Sequence, residues 1–149
     1  MSGKQGDVVR RDAGGFTLIE LMIAILIVAI LATLTIPKVT SASLRARVSE
    51  AVSTLSSFEK AQAVALSESG ETVSCDQLVI ENPCTNGYSR YFSYSEHVAP
   101  LASARLTGTA KGVIAPLAGK SIWTEVQTDG TVEHGHDDEY NSLAPNWKD

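Results

Sequence analysis

The stretch GGFTLIELMIAILIVAILATLTIP, residues 14–37, decides the fold of this chain. Between positions 16 and 37 it holds one charged side chain, that of Glu20, among Leu, Ile, Val and Ala. A helix of this length rises about 33 Å, which matches the hydrocarbon core of a bilayer. The stretch therefore predicts a membrane-spanning helix, and the position of Glu20 within it needs an explanation.

The residues before this stretch, MSGKQGDVVRRDAGG, are polar. Arg10 and Arg11 are expected to stay on the cytoplasmic side, as basic residues that flank a membrane helix do. A secretory signal places its small residues after the apolar segment, whereas Ala13, Gly14 and Gly15 precede it here. Cleavage after Gly15 would leave the apolar helix on the mature chain.

Cleavage at that bond would give Glu20 a partner. Phe16 would become the amino terminus, four residues before Glu20 and on the same helical face. A charge inside hydrocarbon costs roughly 2.5–3.5 kcal/mol, so it is usually paired and functional. Pairing of Glu20 with the terminal ammonium of a neighbouring chain would fix the axial register of an assembly. The simpler alternative is a signal-anchor helix with one tolerated acid.

On these residues the chain resembles the type IV pilins and the related pseudopilins. Their signature is a short basic leader ending in Gly, then Phe, Thr, Leu, Ile, Glu and a long apolar segment. The resemblance implies that the leader ends at Gly15, that Phe16 is the N-methylated first mature residue, and that Glu20 is the assembly acid. Pro37 matches the family's proline, and its missing backbone donor predicts a helix kink.

Beyond position 37 a helical pattern resumes. Apolar residues such as Val48, Leu55 and Phe58 recur at helical spacing, and Gly70 is the predicted stop. Strand signals follow, and the clearest is a hairpin that turns at Asp129 and Gly130. The expected fold class is α+β, with a long bent N-terminal helix packed on three or four antiparallel strands, which is the order of elements in the type IV pilin fold.

The predicted organisation is a cleaved leader, the apolar half of the helix, its amphipathic half, a connecting loop, an antiparallel sheet and a C-terminal surface tail, at residues 1–15, 16–37, 38–70, 71–96, 97–136 and 137–149. Cys75 and Cys84 lie in the connecting loop. If the helix sends the rest of the chain across the membrane, the two cysteines are interpreted as a disulfide; free thiols are the alternative. Major pilins of this type usually bracket the C-terminal loop with a disulfide, but this chain has no cysteine after Cys84, so Tyr140, Leu143 and Trp147 are expected to hold the tail by packing.

No nucleophile–base pair can be named, so neither enzymatic activity nor a cofactor is expected. Residues 133–139, EHGHDDE, combine two histidines with carboxylates that could collect a divalent ion. A solvated acidic tail is the favoured interpretation, and no metal site is predicted. Aromatic residues around Arg90 could stack bases or glycans, but packing of the loop against the helix is favoured because aromatic rings bury large areas.

The favoured function is that of a type IV pilus subunit, anchored in the inner membrane by one span before assembly. By resemblance, a prepilin peptidase that is also a methyltransferase processes it, and an assembly platform with an ATPase adds it to a homo-oligomeric, extracellular filament for adhesion, twitching motility or DNA uptake. A pseudopilin of a type II secretion system and a minor DNA-binding pilin are the alternatives. The net charge of -5 gives no basic footprint, and DNA is not indicated by the scattered cations Arg90, Arg105, Lys111 and Lys120.

Overall fold

The computed structural model describes residues 15–147, with side chains throughout that range except at positions 36–39. Most of the predicted leader, residues 1–14, and the last two residues lie outside the described range. The chain divides into two compact units, one ending at Val39 and the other beginning at Thr40. The described part of the second unit, residues 40–147, is called the headpiece below.

One α-helix, α1, spans Leu18–Ser69 and contributes to both units. It ends at Ser69, as the sequence predicts, because Gly70 takes a left-handed φ of +73° that glycine adopts without steric cost. The Gly70 N–H still donates to the Leu66 carbonyl at 2.9 Å. The helical backbone runs through position 37, where the side chain is not described, and the kink at Pro37 stays a prediction.

Four antiparallel strands follow α1 in a meander of order β1-β2-β3-β4: β1 Phe92–Ala99, β2 Ser103–Ala110, β3 Ser121–Gln127 and β4 Val132–His136. The predicted hairpin joins β3 to β4, and Gly130 in its turn has a φ of +87°. The α+β architecture is confirmed: a long N-terminal helix packs on a four-stranded antiparallel sheet, which is consistent with the pilin fold.

The sheet begins earlier than the sequence predicts. The connecting loop was expected to run to residue 96, but β1 starts at Phe92. Phe92 and Tyr94 are buried while Ser93 and Ser95 are exposed, which is the alternation of a half-buried strand. The aromatic residues therefore form the packed face of an edge strand as well as anchoring the loop before it.

The headpiece core lies between α1 and the inner face of the sheet. Burial of a large apolar side chain contributes roughly 1.5–3 kcal/mol to the free energy of unfolding. The helix supplies such residues every three or four positions, and the strands supply them at every second position. The fully buried members are Val48, Ala51, Leu55 and Phe58 from α1 and Phe92, Ala104, Leu106, Ile122 and Val126 from the strands. Tyr140 is also fully buried, so the C-terminal segment, expected to lie on the surface, contributes to the core.

Candidate functional site

The predicted cleavage point lies in accessible, non-helical chain. Residues 15–17 precede α1, and Phe16 is 89% exposed. A Cβ added at Gly15 would meet no atom of residues 15–147 within 4 Å. Space among the described residues therefore does not require a glycine there.

Glu20 and Thr17 form a capping box at the start of α1. The N–H and the hydroxyl of Thr17 donate to Glu20 Oε2 at 3.1 and 3.0 Å, and the Glu20 N–H donates to Thr17 Oγ1 at 3.3 Å. This reciprocal pairing satisfies donors that the first helical turn leaves free. Thr17 was not among the predicted site residues, although the spacing Thr-x-x-Glu before an apolar run is the signal of such a cap.

The first half of α1 presents an apolar surface on all sides. Large apolar side chains from Leu18 to Leu34 are 52–76% exposed. By length and composition α1 is able to cross a membrane. An exposed apolar surface of this extent marks contact with lipid or with other protein chains. The carboxylate of Glu20 thus lies in the first turn of a helix whose exposed apolar surface is expected to be in contact with lipid or other chains.

The prokaryotic N-terminal methylation motif matches residues 10–36. This is the signature of type IV pilins and pseudopilins. The pilin motif includes Gly15, Phe16 and Glu20 and implies processing by a prepilin peptidase and assembly into pili. Together with the apolar helix it indicates membrane anchoring before assembly. Proteins of the pilin family are structural, not enzymatic.

Cys75 and Cys84 face each other in the loop between α1 and β1. Their Sγ atoms lie 2.7 Å apart, with Cys75 buried and Cys84 partly exposed. The contact with Cys84, reinforced by burial, raises the pKa of the Cys75 thiol, and the same contact lowers the pKa of Cys84. Cys84 is the more accessible of the two thiols. The disulfide stays a prediction, and this geometry favours it.

Glu96 on β1 lies beside the two cysteines. Its Oε2 accepts a hydrogen bond from the Cys75 N–H at 2.6 Å. The atoms that could bind a metal ion, the two Sγ atoms and a carboxylate oxygen of Glu96, lie within 4.8 Å of one another. A structural zinc ion takes four ligands, and two thiolates on one zinc lie roughly 3.8 Å apart. The shorter sulfur separation, and the lack of a fourth protein ligand among the described side chains, favour pairing of Cys75 with Cys84 over metal binding.

The histidines and carboxylates of residues 133–139 fasten neighbouring elements. His134 Nε2 lies 3.0 Å from Glu59 Oε1 on α1. Lys120 Nζ lies 2.6 Å from Glu139 Oε1, and this pair raises the pKa of Lys120 and lowers that of Glu139. Glu59 was missed by the sequence analysis because its partner is 75 residues away. These contacts join β4 to α1 and the segment after β4 to the residue before β3, so residues of this motif have a structural role.

The cations considered for DNA have separate structural contacts. Arg105 donates through Nε to Glu125 Oε2 at 2.8 Å, and Lys120 is paired with Glu139. Lys111 Nζ donates to a backbone carbonyl at 2.6 Å. Two of the four predicted cations are therefore already neutralised by carboxylates within the headpiece.

Proposed function

We propose that this chain is the precursor of a structural subunit of a type IV pilus. The observation that carries the proposal is Glu20, a carboxylate near the start of the otherwise uncharged stretch 16–37 and four residues after Phe16. In the single chain the acid caps its own helix through Thr17. Cleavage after Gly15 would create an ammonium at Phe16 that Glu20 of another chain can neutralise inside an apolar filament core.

In this proposal residues 1–15 are the leader, which a prepilin peptidase removes before the new terminus at Phe16 is methylated. Residues 16–37 hold the subunit in the inner membrane until an assembly platform and its ATPase add it to an extracellular filament. The contact between copies joins different surfaces and therefore propagates without closing. The peptide cleavage and the ATP hydrolysis belong to partners, and the headpiece provides the filament surface.

A disulfide between Cys75 and Cys84 would form in the headpiece before assembly. It closes a short loop, so its stabilisation lies at the low end of a range of about 2–4 kcal/mol. Adhesion or twitching motility agrees better with this headpiece than DNA binding, because Arg105 and Lys120 are paired with carboxylates.

The test uses filaments sheared from cells that produce the full chain. Intact mass and N-terminal sequencing are expected to give a chain that starts at methylated Phe16. Glu20→Gln removes the charge but keeps the cap, since Gln also serves in a capping box, and it is expected to abolish filaments. Thr17→Ala is the matched control, because it removes the cap, at about 1 kcal/mol, and keeps the charge; filaments are expected to persist.

Three outcomes would count against the proposal. Normal filaments from Glu20→Gln would contradict the pairing of Glu20 with a neighbour's terminus. A mature chain found in the cell envelope without surface filaments would favour the pseudopilin of a secretion system. A chain that keeps its leader would reduce the helix to a signal anchor.

A further inference from the structure

One end of the headpiece is built from three segments. The Thr72 N–H, just after α1, donates to the Pro100 carbonyl at 3.0 Å, and the Thr128 N–H donates to the Ala102 carbonyl at 3.0 Å. The turn between β1 and β2 is thereby held between the end of α1 and the turn between β3 and β4. We call this surface the distal end, and it consists of residues 68–71, 99–102 and 128–130.

The distal end is acidic around an apolar centre. It contains Glu68, Glu71 and Asp129, and no Lys, Arg or His. All three acids are exposed, and within residues 15–147 none of them joins an ion pair. Hydrogen bonds from Thr131 lower the pKa of Asp129. Leu101 projects from the middle segment with 80% of its surface exposed.

The opposite end, where α1 enters the headpiece, carries a basic patch. The Lys111 N–H donates to the Tyr91 carbonyl at 2.8 Å. The Arg47 guanidinium lies 5.0 Å from the centroid of the Tyr91 ring. Arg90 is exposed, and Val113 is 55% exposed in the loop after Lys111. The proximal patch is the set Arg47, Arg90, Lys111 and Val113.

The two charged surfaces cannot neutralise each other within one chain. The strand β1 separates them, and its eight residues span roughly 26 Å. That distance exceeds the screening length of about 8 Å at physiological salt. One carboxylate lies beside the patch: Glu50 on α1 accepts a hydrogen bond from the Ser89 hydroxyl, and the Ser89 carbonyl accepts one from Lys111 Nζ at 2.6 Å. The three cations of the patch outnumber this carboxylate, so the proximal patch presents net positive charge and the distal end, with three acids, presents net negative charge.

We propose that the distal end of one headpiece docks on the proximal patch of a second copy of this chain. The inference rests on the proposed function and specifies which headpiece surfaces meet in the filament. Carboxylates face cations, and Leu101 faces Val113 at the centre of the contact. Because the two surfaces differ, the contact is heterologous and repeats without closing.

The end of the headpiece that carries the proximal patch also limits how the second copy can rotate. Its β4 side carries the acids Asp137 and Asp138, next to Glu139, which is paired with Lys120. A rotated distal end would bring Glu68 and Glu71 against these acids, and like charges in an interface select against that arrangement. Exposed charge pairs are individually weak, so the contact orients copies that the apolar helices already hold together.

The experiment measures the yield of sheared filaments from cells that produce the full chain. Glu71→Lys and Arg90→Glu are each expected to lower the yield roughly fivefold, which corresponds to ~1 kcal/mol per contact. The double variant restores opposite charges and is expected to come back to within about twofold of the wild type. Glu81→Lys makes the same change of charge at an exposed position outside both ends and is expected to leave the yield unchanged.

Single variants that match Glu81→Lys, or a double variant no better than the worse single one, would overturn this contact. If the wild-type chain forms filaments in that case, the proposed function stands and the docking surface alone is wrong. If the wild-type chain forms none, both are overturned. Thermal unfolding in detergent identifies a variant that does not fold, and Glu68→Lys then replaces Glu71→Lys.

Discussion

At the scale of single residues, Tyr94 makes the headpiece sensitive to alkali. Its hydroxyl is buried and has no partner in hydrogen-bond geometry among residues 15–147. Burial raises the pKa of Tyr94 from 10.0 to about 12, so folding favours the protonated phenol. The contribution to stability is complete below pH 10 and is lost as the pH rises towards 12. Burial also raises the pKa of Tyr140, which acts in the same direction.

Tyr94→Phe should remove the buried hydroxyl together with its ionisation. Because an unpaired buried polar group is unfavourable, stability at neutral pH should be unchanged or higher by about 1 kcal/mol. The loss of stability above pH 10 should become shallower. Urea unfolding followed by tryptophan fluorescence across this pH range measures both effects. Tyr88→Phe, whose ring packs edge-on against Tyr94 at 5.8 Å, is the control, and a steeper alkaline loss in Tyr94→Phe would contradict the argument.

At the scale of elements, α1 is tied to the connecting loop by a polar residue within its apolar stripe. Gln62 is fully buried. Its Nε2 donates to the Val73 carbonyl, and its Oε1 accepts from the Val73 N–H at 3.1 Å. The side-chain amide thus satisfies both backbone groups of Val73, which is partly buried against the core.

Gln62→Leu should destabilise the headpiece although it raises the apolar content of the stripe. Two backbone groups of Val73 would lose their partners, at about 1 kcal/mol each, the low end of the range because Val73 is only partly buried. We expect a fall in the melting temperature of roughly 10 °C, since 1 kcal/mol shifts a domain of this size by about 4–8 °C. Thermal unfolding in detergent measures it. Gln77→Leu, at an exposed site, should change stability by less than about 0.5 kcal/mol; equal effects of the two substitutions would disprove the role of Gln62.

The contrast between α1 and the loop after it shows what the sequence can predict. Helical spacing, the stop at Gly70 and the turn at Gly130 depend on local chemistry, and all three are in the structure. The role of Thr17 as the capping partner of Glu20 also depends on local sequence, and it could have been predicted from the Thr-x-x-Glu spacing. The partners Gln62 and Glu96 could not be found in this way, because each binds a backbone segment 11 or 21 residues distant that only the fold brings near.

At the scale of the whole headpiece, the end of the chain joins parts that are far apart in sequence. Trp147 Nε1 donates to the Trp123 carbonyl on β3 at 3.1 Å. The Trp147 ring lies 4.2 Å, centroid to centroid, from the ring of His134 on β4. His134 in turn contacts Glu59 on α1 at 3.0 Å. The packing expected for Tyr140, Leu143 and Trp147 is therefore present, and it links the C-terminal segment to both layers of the fold.

Trp147→Ala should release this segment while the sheet stays folded. The indole is 8% exposed, and its removal should lower stability by about 3 kcal/mol, at the low end for loss of a buried aromatic side chain. Chymotrypsin should then cut after Tyr140, which is fully buried in the intact headpiece, and mass spectrometry would detect the loss of residues 141–149. Trp147→Phe keeps the apolar contact and loses only the N–H donor, so we expect intermediate protection at about 1 kcal/mol. Wild-type resistance in Trp147→Ala would mean that Tyr140 and Leu143 hold the segment without the indole.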